Sequence, residues 1–299
     1  MAFDWRNARK SSVREMGWCL FSPPILDRLP PEATTPWPVA CDRGAIEILE
    51  ALDKDTAALE THLANGDDRR LGARFEAFWT FFLRNHPRYR LLAYNLPVYR
   101  NGNTLGALDF LFEDTHRERV VHGEVAVKFY IYQADRPGVE LAKWIGPNPD
   151  DNLQLKIERL QRHQLPLSSG PEGMAALRAH GLPAPDCKAV LLKGYLFHPA
   201  GRTIDLPDGF NRDHLHGEWL TIDNLAELVA TTNQEQAGTR WLILEKPGWL
   251  LPALPESQGV ANFVQRVGKR LEREKRPIMI ARTTDGEESR RYFVIPEGW

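Results

Sequence analysis

The hydrophobic pattern from residue 69 onward predicts an ordered series of helices and strands. Apolar side chains recur at spacings of four, three and four in a stripe typical of an amphipathic helix over 69–85, formed by Leu71, Phe75, Phe78 and Phe82. Alternating or continuous apolar runs predict strands near 89–100, 105–113, 120–132 and 188–197. Helical spacing returns at 151–164 and 172–180. The predicted order is a helix, three strands, helices and a strand.

The flanking regions divide the chain further. Before residue 69 the pattern predicts a helix around 13–18, a proline-rich extended segment and one helix over 43–64. After residue 198 we predict strands at 217–222, 239–245, 277–282 and 290–295, with helices at 223–232 and 258–275 and a hairpin turn at 283–288. We therefore expect an α/β (α+β) protein with an N-terminal helical strap (1–68), a core (69–198) and a C-terminal α/β extension (199–299).

Charged residues interrupt two of the predicted core strands. Asp109 lies within one apolar run, and Glu124 and Lys128 lie within the next. Burying an ionised group costs several kcal/mol unless the group is paired or binds a metal. These three residues are therefore the first candidates for a functional site.

Strand geometry brings the two acids together. The connection 114–119 is short and polar, which favours an antiparallel hairpin. If the hairpin closes symmetrically, Glu113 pairs with Val120 and Asp109 lies opposite Glu124. Opposed residues have Cβ atoms roughly 5 Å apart, and like charges there repel each other. A divalent cation, or the Lys128 ammonium on the same face, would turn that repulsion into attraction.

Composition narrows the class of protein. The chain has 299 residues, 42% of them hydrophobic and 26% charged, which is ordinary for a globular protein. A net charge of −2 creates no global basic field for a polyanion, although a local basic groove would suffice for nucleic acid. The three cysteines form neither a CxxC motif nor a disulfide framework, which favours the cytoplasm. We find no secretory signal and no membrane-spanning run.

The order of elements and the placement of the acids resemble the PD-(D/E)XK nuclease superfamily over roughly residues 69–198. The resemblance implies a restriction-endonuclease-like core: a helix, a three-strand antiparallel meander, a helix and a strand. It carries that family's site onto Glu76 of the first helix, Asp109, and Glu124 with Lys128. One position departs from the pattern, because Ala126 stands where the second acid is expected. Either the acid has moved to Glu124 on the same face, or the site has degraded.

Six segments resemble domain-of-unknown-function family 1853, a bacterial family itself placed by resemblance in that superfamily. The matching segments are Val13-Arg14 with Trp18, Ser22-Pro23-Pro24, Gly106 to Phe110, Glu124 to Tyr130, His163-Gln164-Leu165 and Lys193 to Phe197. The matches are spread over the chain. They imply a fold and a candidate site but name no substrate.

The resemblance implies a phosphodiester hydrolase that uses Mg²⁺ or Mn²⁺. Asp109 and Glu124 would bind the ion, Glu76 would bind a second ion or orient a metal-bound water, and Lys128 would lie beside the attacking water. Lys156 and Arg159, on the helix after the hairpin, would contact phosphates of DNA or RNA.

Other interpretations stay open at this point. The main alternative is a non-catalytic nucleic-acid-binding or scaffold protein that keeps the fold with an eroded site. A third is a glycosidase that uses Asp109 and Glu124 as its acid pair. His214 and His216 have the spacing of two metal ligands on one strand, but two ligands are weak support for a site.

Overall fold

The structure, a computed structural model, describes residues 3–29, 34–39, 41–65, 70–235, 238–253 and 262–299. The helices are α1 (Ser11–Phe21), α2 (Arg43–Lys54), α3 (Ala57–Ala64), α4 (Leu71–Asn85), α5 (Leu153–Arg159), α6 (Leu165–Leu167), α7 (Pro171–Ala179), α8 (Ile222–Glu235) and α9 (Phe263–Glu274). A π-helical turn, Leu160–Gln164, joins α5 to α6, and short 3₁₀ turns occur at Trp5–Asn7, Glu140–Lys143 and Gly248–Leu250.

The strands are β1 (Tyr89–Arg100), β2 (Asn103–Asp114), β3 (Arg119–Tyr132), β4 (Trp144–Ile145), β5 (Cys187–Pro199), β6 (His216–Leu220), β7 (Arg240–Ile243), β8 (Ile278–Thr284) and β9 (Glu287–Val294). The chain divides into two compact units. The first comprises Met1–Val127, Leu155–Lys193 and Pro207–Asp213, and the second comprises Lys128–Gln154, Gly194–Leu206 and His214–Trp299. Strands β3 and β5 contribute residues to both units.

The first unit contains the predicted antiparallel meander. Strand β2 pairs antiparallel with both β1 and β3. The aromatic stripe of α4 is buried at Phe75, Phe78 and Phe82, as its helical spacing predicts. On β1 and β2, apolar side chains such as Leu96 and Leu108 form a buried cluster with residues of α7. The fold is mixed α/β, and its elements follow the predicted order except for the short strand β4, which was not predicted and pairs with β3.

The second unit carries a mixed sheet. Strand β6 runs parallel to both β5 and β9, whereas β8 pairs antiparallel with β7 and β9. The turn between β8 and β9 confirms the hairpin predicted at 283–288. Helices α8 and α9 pack their apolar faces on this sheet, with Leu225 and Val267 fully buried.

One predicted element is wrong, and others fall partly outside the described residues. The single helix expected over 43–64 is two helices, because Asp55 is extended (φ −143°, ψ 111°) and its Oδ1 accepts a hydrogen bond from the Ala57 N–H. This side-chain acceptor begins a second helix where apolar spacing alone predicts continuity. The helix start predicted at 258–261, the break at 66–68 and Arg69 lie outside the described residues. The three-segment division at 68/69 and 198/199 stays a prediction.

No described helix combines the length and the apolar composition that crossing a membrane requires.

Candidate functional site

The β2–β3 hairpin brings Asp109 and Glu124 together. The observed register pairs Glu113 with Val120 and Phe110 with Gly123, so the predicted hairpin register is confirmed. The backbone N–H of Asp109 donates to Glu124 Oε1 at 3.4 Å, and that of Val125 donates to Asp109 Oδ2 at 3.1 Å. The two carboxyl groups lie close enough for the charge of Glu124 to raise the pKa of Asp109.

Helix α4 supplies a third carboxyl group. Glu76 is half-buried, and its Oε2 accepts a hydrogen bond at 3.4 Å from the hydroxyl of Tyr94 on β1. Burial raises the pKa of Glu76 to about 7, and the negative charge of Asp109 contributes to that rise. Glu76, Asp109 and Glu124 therefore form one electrostatic unit, which we call the carboxylate cluster.

Glu124 lies at the buried end of this cluster. It is fully buried, and both of its oxygens accept hydrogen bonds. His122 Nε2 lies 2.9 Å from Oε1, and Gln164 Nε2 donates to Oε2. The Lys156 Nζ donates to Gln164 Oε1 at 3.1 Å. Gln164 belongs to the π-helical turn Leu160–Gln164, a local irregularity that often occurs at functional sites.

The pKa values of the three carboxyl groups are all raised to about 7. Burial is the largest cause in each, because it disfavours the charged form. Repulsion between the negative charges raises these pKa values further: Glu124 raises the pKa of Asp109, and Glu76 raises that of Glu124. The Lys156 ammonium opposes these effects at all three groups. At neutral pH the cluster holds protons that ordinary carboxylates would have lost, and these groups titrate together.

His122 contributes a neutral donor. It is fully buried, and burial lowers its pKa to about 4. The neutral ring therefore donates its Nε2–H to Glu124, and Nδ1 has no hydrogen-bond partner among the described residues. The ring orients the Glu124 carboxylate without supplying a counter-charge.

The other predicted site residues occupy different surroundings. Lys128 belongs to the second unit, where its Nζ lies 2.5 Å from Asp151 Oδ2 in a partly exposed ion pair. Tyr130 donates its hydroxyl hydrogen bond to the other Asp151 oxygen at 3.4 Å. Arg159 is exposed at the end of α5, whereas Lys156 is half-buried and acts on the cluster. The structure thus brings Glu76, Asp109, Glu124 and Lys156 together and gives the Lys128 amine a partner of its own.

The carboxylate oxygens of the cluster fit a divalent ion only if water molecules complete the coordination shell of the ion. No group of three His, Cys, Asp or Glu side chains within the described ranges is positioned to hold a metal ion. Mg²⁺ is commonly held by one or two carboxylates and several waters. Asp109 and Glu76 are the half-buried carboxylates, and Glu124 already accepts from His122 and Gln164. Hard oxygen donors with surplus negative charge fit Mg²⁺ or Mn²⁺ in such an arrangement.

Three residues of the site escaped the sequence reasoning. His122 and Glu124 are two apart on one strand and therefore share a face, so the pairing could have been expected. Gln164 lies in one of the segments that resemble the family. Because it belongs to a π-helical turn, no apolar periodicity predicts that its side chain points towards β3. Tyr94 reads as an ordinary strand aromatic, and only tertiary packing reveals its contact with Glu76.

Comparison with known proteins yields one match. The model of a family described as Domain of unknown function (DUF1853) matches residues 14–295. Neither the curated proteins nor the solved structures returned a match. The matched range contains every residue of the carboxylate cluster and covers well over half of the sequence. The chain therefore belongs to the DUF1853 family.

Proposed function

We propose that the carboxylate cluster is the metal-binding centre of a divalent-metal-dependent phosphodiester hydrolase, a nuclease-like enzyme that acts on DNA or RNA in the cytoplasm. The core 69–198 would then be restriction-endonuclease-like. One observation carries the proposal: three mutually repelling carboxyl groups, all with pKa values near 7, face one ammonium, that of Lys156. A bound dication would remove this repulsion and displace the retained protons.

The residues divide the chemical work. Asp109 and Glu76, the half-buried carboxylates of the cluster, would bind the ion. The buried Glu124 carboxylate would help to position Asp109 by accepting a hydrogen bond from its backbone N–H. The ion, when bound, would neutralise charge on the phosphoryl oxygens and lower the pKa of a bound water. His122 and Gln164 would keep Glu124 in a single orientation by donating hydrogen bonds to both of its oxygens.

Two basic residues would serve the substrate. Arg159 is exposed on α5, where its guanidinium can bind a backbone phosphate with two parallel hydrogen bonds. Lys156 lies three residues earlier on that helix and already acts on all three carboxyl groups. We assign to Lys156 the stabilisation of negative charge on the attacking water. The role predicted for Lys128 stays a prediction, which cleavage by a Lys128→Met variant would test.

The decisive experiment measures cleavage of plasmid DNA, single-stranded DNA and RNA with Mg²⁺ or Mn²⁺. We expect Asp109→Asn and Glu76→Gln to abolish cleavage, and Lys156→Met to reduce it at least about 100-fold, the usual effect of losing a proton-transfer or charge-stabilising group. Glu113→Gln is the matched control, because Glu113 lies on the same strand as Asp109 but pairs with Arg90. Absence of cleavage by the wild-type protein on all three substrates, or equal cleavage by Asp109→Asn, would overturn the enzymatic proposal.

A second candidate function is the non-catalytic one, in which the fold binds nucleic acid or serves as a scaffold. It is favoured by Ala126 at the expected acid position and by the closed Lys128–Asp151 ion pair. Its signature would be nucleic-acid binding with a steep salt dependence and no metal-dependent cleavage. The glycosidase interpretation lacks support, because Glu124 is fully buried and both of its oxygens already accept hydrogen bonds, from His122 and Gln164.

A further inference from the structure

A cavity in the first unit combines an apolar wall with a buried ammonium. Its volume is about 330 Å³, which is large enough for a small organic molecule. Leu20 and Pro24 from the N-terminal segment, Trp79 of α4, and Leu191 and Lys193 of β5 contribute to its lining. None of these residues belongs to the carboxylate cluster.

Lys193 is the buried cationic residue of this cavity. Its side chain is 2% exposed, and its Nζ donates a hydrogen bond to the Leu20 carbonyl oxygen at 2.8 Å. The ammonium also lies 5.9 Å from the centre of the Trp79 ring. Burial lowers its pKa to about 8, so it remains mostly protonated at neutral pH. No carboxylate among the described residues pairs with it.

The hydrogen bond to the Leu20 carbonyl oxygen accounts for only part of the stabilisation that the buried Lys193 ammonium needs. It lies in the last turn of α1, where backbone carbonyls lack helical partners and favour a cation. Lys193 therefore caps the helix with one of its three hydrogens. A carbonyl dipole does not supply a full negative charge, and an unpaired buried ammonium is costly.

Three further residues of the lining carry buried hydrogen-bond donors. Ser22 Oγ, Trp37 Nε1 and Trp79 Nε1 are buried, and none has a hydrogen-bond partner in the part of the chain that the structure describes. Ser22 is 8% exposed and Trp79 is 1% exposed. Buried polar groups are normally satisfied, so several unsatisfied donors around one space indicate an acceptor that fills it.

We propose that this cavity binds a small monocarboxylate with a flat apolar body. The carboxylate would accept hydrogen bonds from Lys193, Ser22 and the indole N–H groups, and its apolar part would lie against the leucine and tryptophan side chains. Phosphate dianions fit less well, because Lys193 is the one cationic side chain among the described residues of the lining, and the Asp27 carboxylate also contributes to it.

The experiment titrates the full-length protein with 2-naphthoate, 2-naphthamide and inorganic phosphate by calorimetry at neutral pH. We expect 2-naphthoate to bind with 1:1 stoichiometry and the neutral amide to bind at least tenfold more weakly, a difference of about 1.4 kcal/mol. The ¹⁵N–¹H indole signals of Trp37 and Trp79 should shift with the naphthoate. Undetectable naphthoate binding, equal binding of the amide, or tighter binding of phosphate would overturn the proposal.

Variants test the residues. Lys193→Met should weaken naphthoate binding at least tenfold, and Ser22→Ala should weaken it a few-fold, since each removes a donor to the carboxylate. Lys188→Met is the matched control, because Lys188 lies on the same strand but donates to Ser169 outside the cavity. Unchanged binding in Ser22→Ala and Lys193→Met would also overturn the assignment. If Lys193→Met does not fold, the comparison of acid and amide on the wild-type protein decides the question.

Discussion

Two aspartates of strand β2, only five residues apart, occupy opposite electrostatic environments. Asp114 is 1% exposed, and Arg88 donates to both of its oxygens at 2.8 and 2.7 Å. Burial alone would raise its pKa, but the hydrogen bonds and charge of Arg88 outweigh burial and leave the pKa lowered. The pKa of Asp109 is instead raised to about 7, because burial is reinforced by the negative charge of the neighbouring Glu124.

The comparison shows that a cationic partner can outweigh the effect of burial on the pKa of a strand carboxylate, whereas a neighbouring acid reinforces it. Asp114 has a complementary cation and is a stable anion with a structural role. Asp109 faces Glu124 and Glu76, and its ionisation is opposed by both. A site where negative charges exceed the positive charges beside them is a candidate for cation binding, whereas a balanced ion pair is not.

The largest expected effect comes from removing the partner of Asp114. Arg88→Met should destabilise the protein by about 3 kcal/mol near pH 7, since the cationic partner that remains to the buried Asp114 carboxylate among the described residues is Arg117, at 3.8 Å. Because the folded pKa of Asp114 is lowered, this loss should shrink as the pH falls below about 4 and the group becomes protonated. Urea unfolding measures it. Arg90→Met, which removes an exposed arginine, should cost less than about 1 kcal/mol, and an equal loss in both variants would contradict the comparison.

Asp109→Asn should stabilise the protein near neutral pH, whereas Arg88→Met destabilises it. The folded pKa values of the cluster are raised to about 7, so its stability is greatest below about pH 4 and is lost as the pH rises towards 7. Removing one acid should reduce that loss by about 1.4 kcal/mol, the equivalent of one pKa unit. The measurement is urea unfolding at intervals between pH 5 and 8, with Glu113→Gln as control. A wild-type stability that does not fall over this range would contradict the raised pKa values.

Metal binding should release protons from the cluster. Near neutral pH we expect about one proton to leave for each Mg²⁺ bound, because the carboxyl groups with pKa values of about 7 are then partly protonated. Calorimetry in buffers with different ionisation enthalpies counts the protons. The release should vanish at pH 9 and fall in Asp109→Asn. Mg²⁺ binding without proton release at neutral pH would place the ion elsewhere.

The smallest expected effect concerns Lys128. Its ion pair with Asp151 is partly exposed, with side-chain exposures of 29% and 33%, so Lys128→Met should cost less than about 1 kcal/mol. Mg²⁺ affinity should not change. Lys156→Met should instead raise the pKa values of the cluster further and strengthen Mg²⁺ binding at pH 7, because binding Mg²⁺ with release of about one proton adds net positive charge, which the Lys156 ammonium opposes. If Lys128→Met abolishes cleavage and Lys156→Met does not, the sequence-based assignment of the lysine is the correct one.

Much of the site could be predicted because local rules govern it. A symmetric hairpin with a short polar turn determined the pairing of Glu113 with Val120, and hence the meeting of Asp109 and Glu124. The aromatic stripe placed Glu76 on the border of α4 in the same way. Helix 43–64 was predicted wrongly because the side-chain cap at Asp55 competes with apolar periodicity and leaves no trace in it.

The sequence by itself determined the order of elements, the hairpin register and the three acids, since each follows from periodicity or from chain geometry over a few residues. Tertiary structure alone decided the partners of those acids. Gln164 lies forty residues from Glu124, the Lys128 amine reaches Asp151, and the Lys193 ammonium reaches the end of a helix more than 170 residues earlier. Partner choice depends on which side chains packing brings within a few ångströms, and no local pattern encodes that distance.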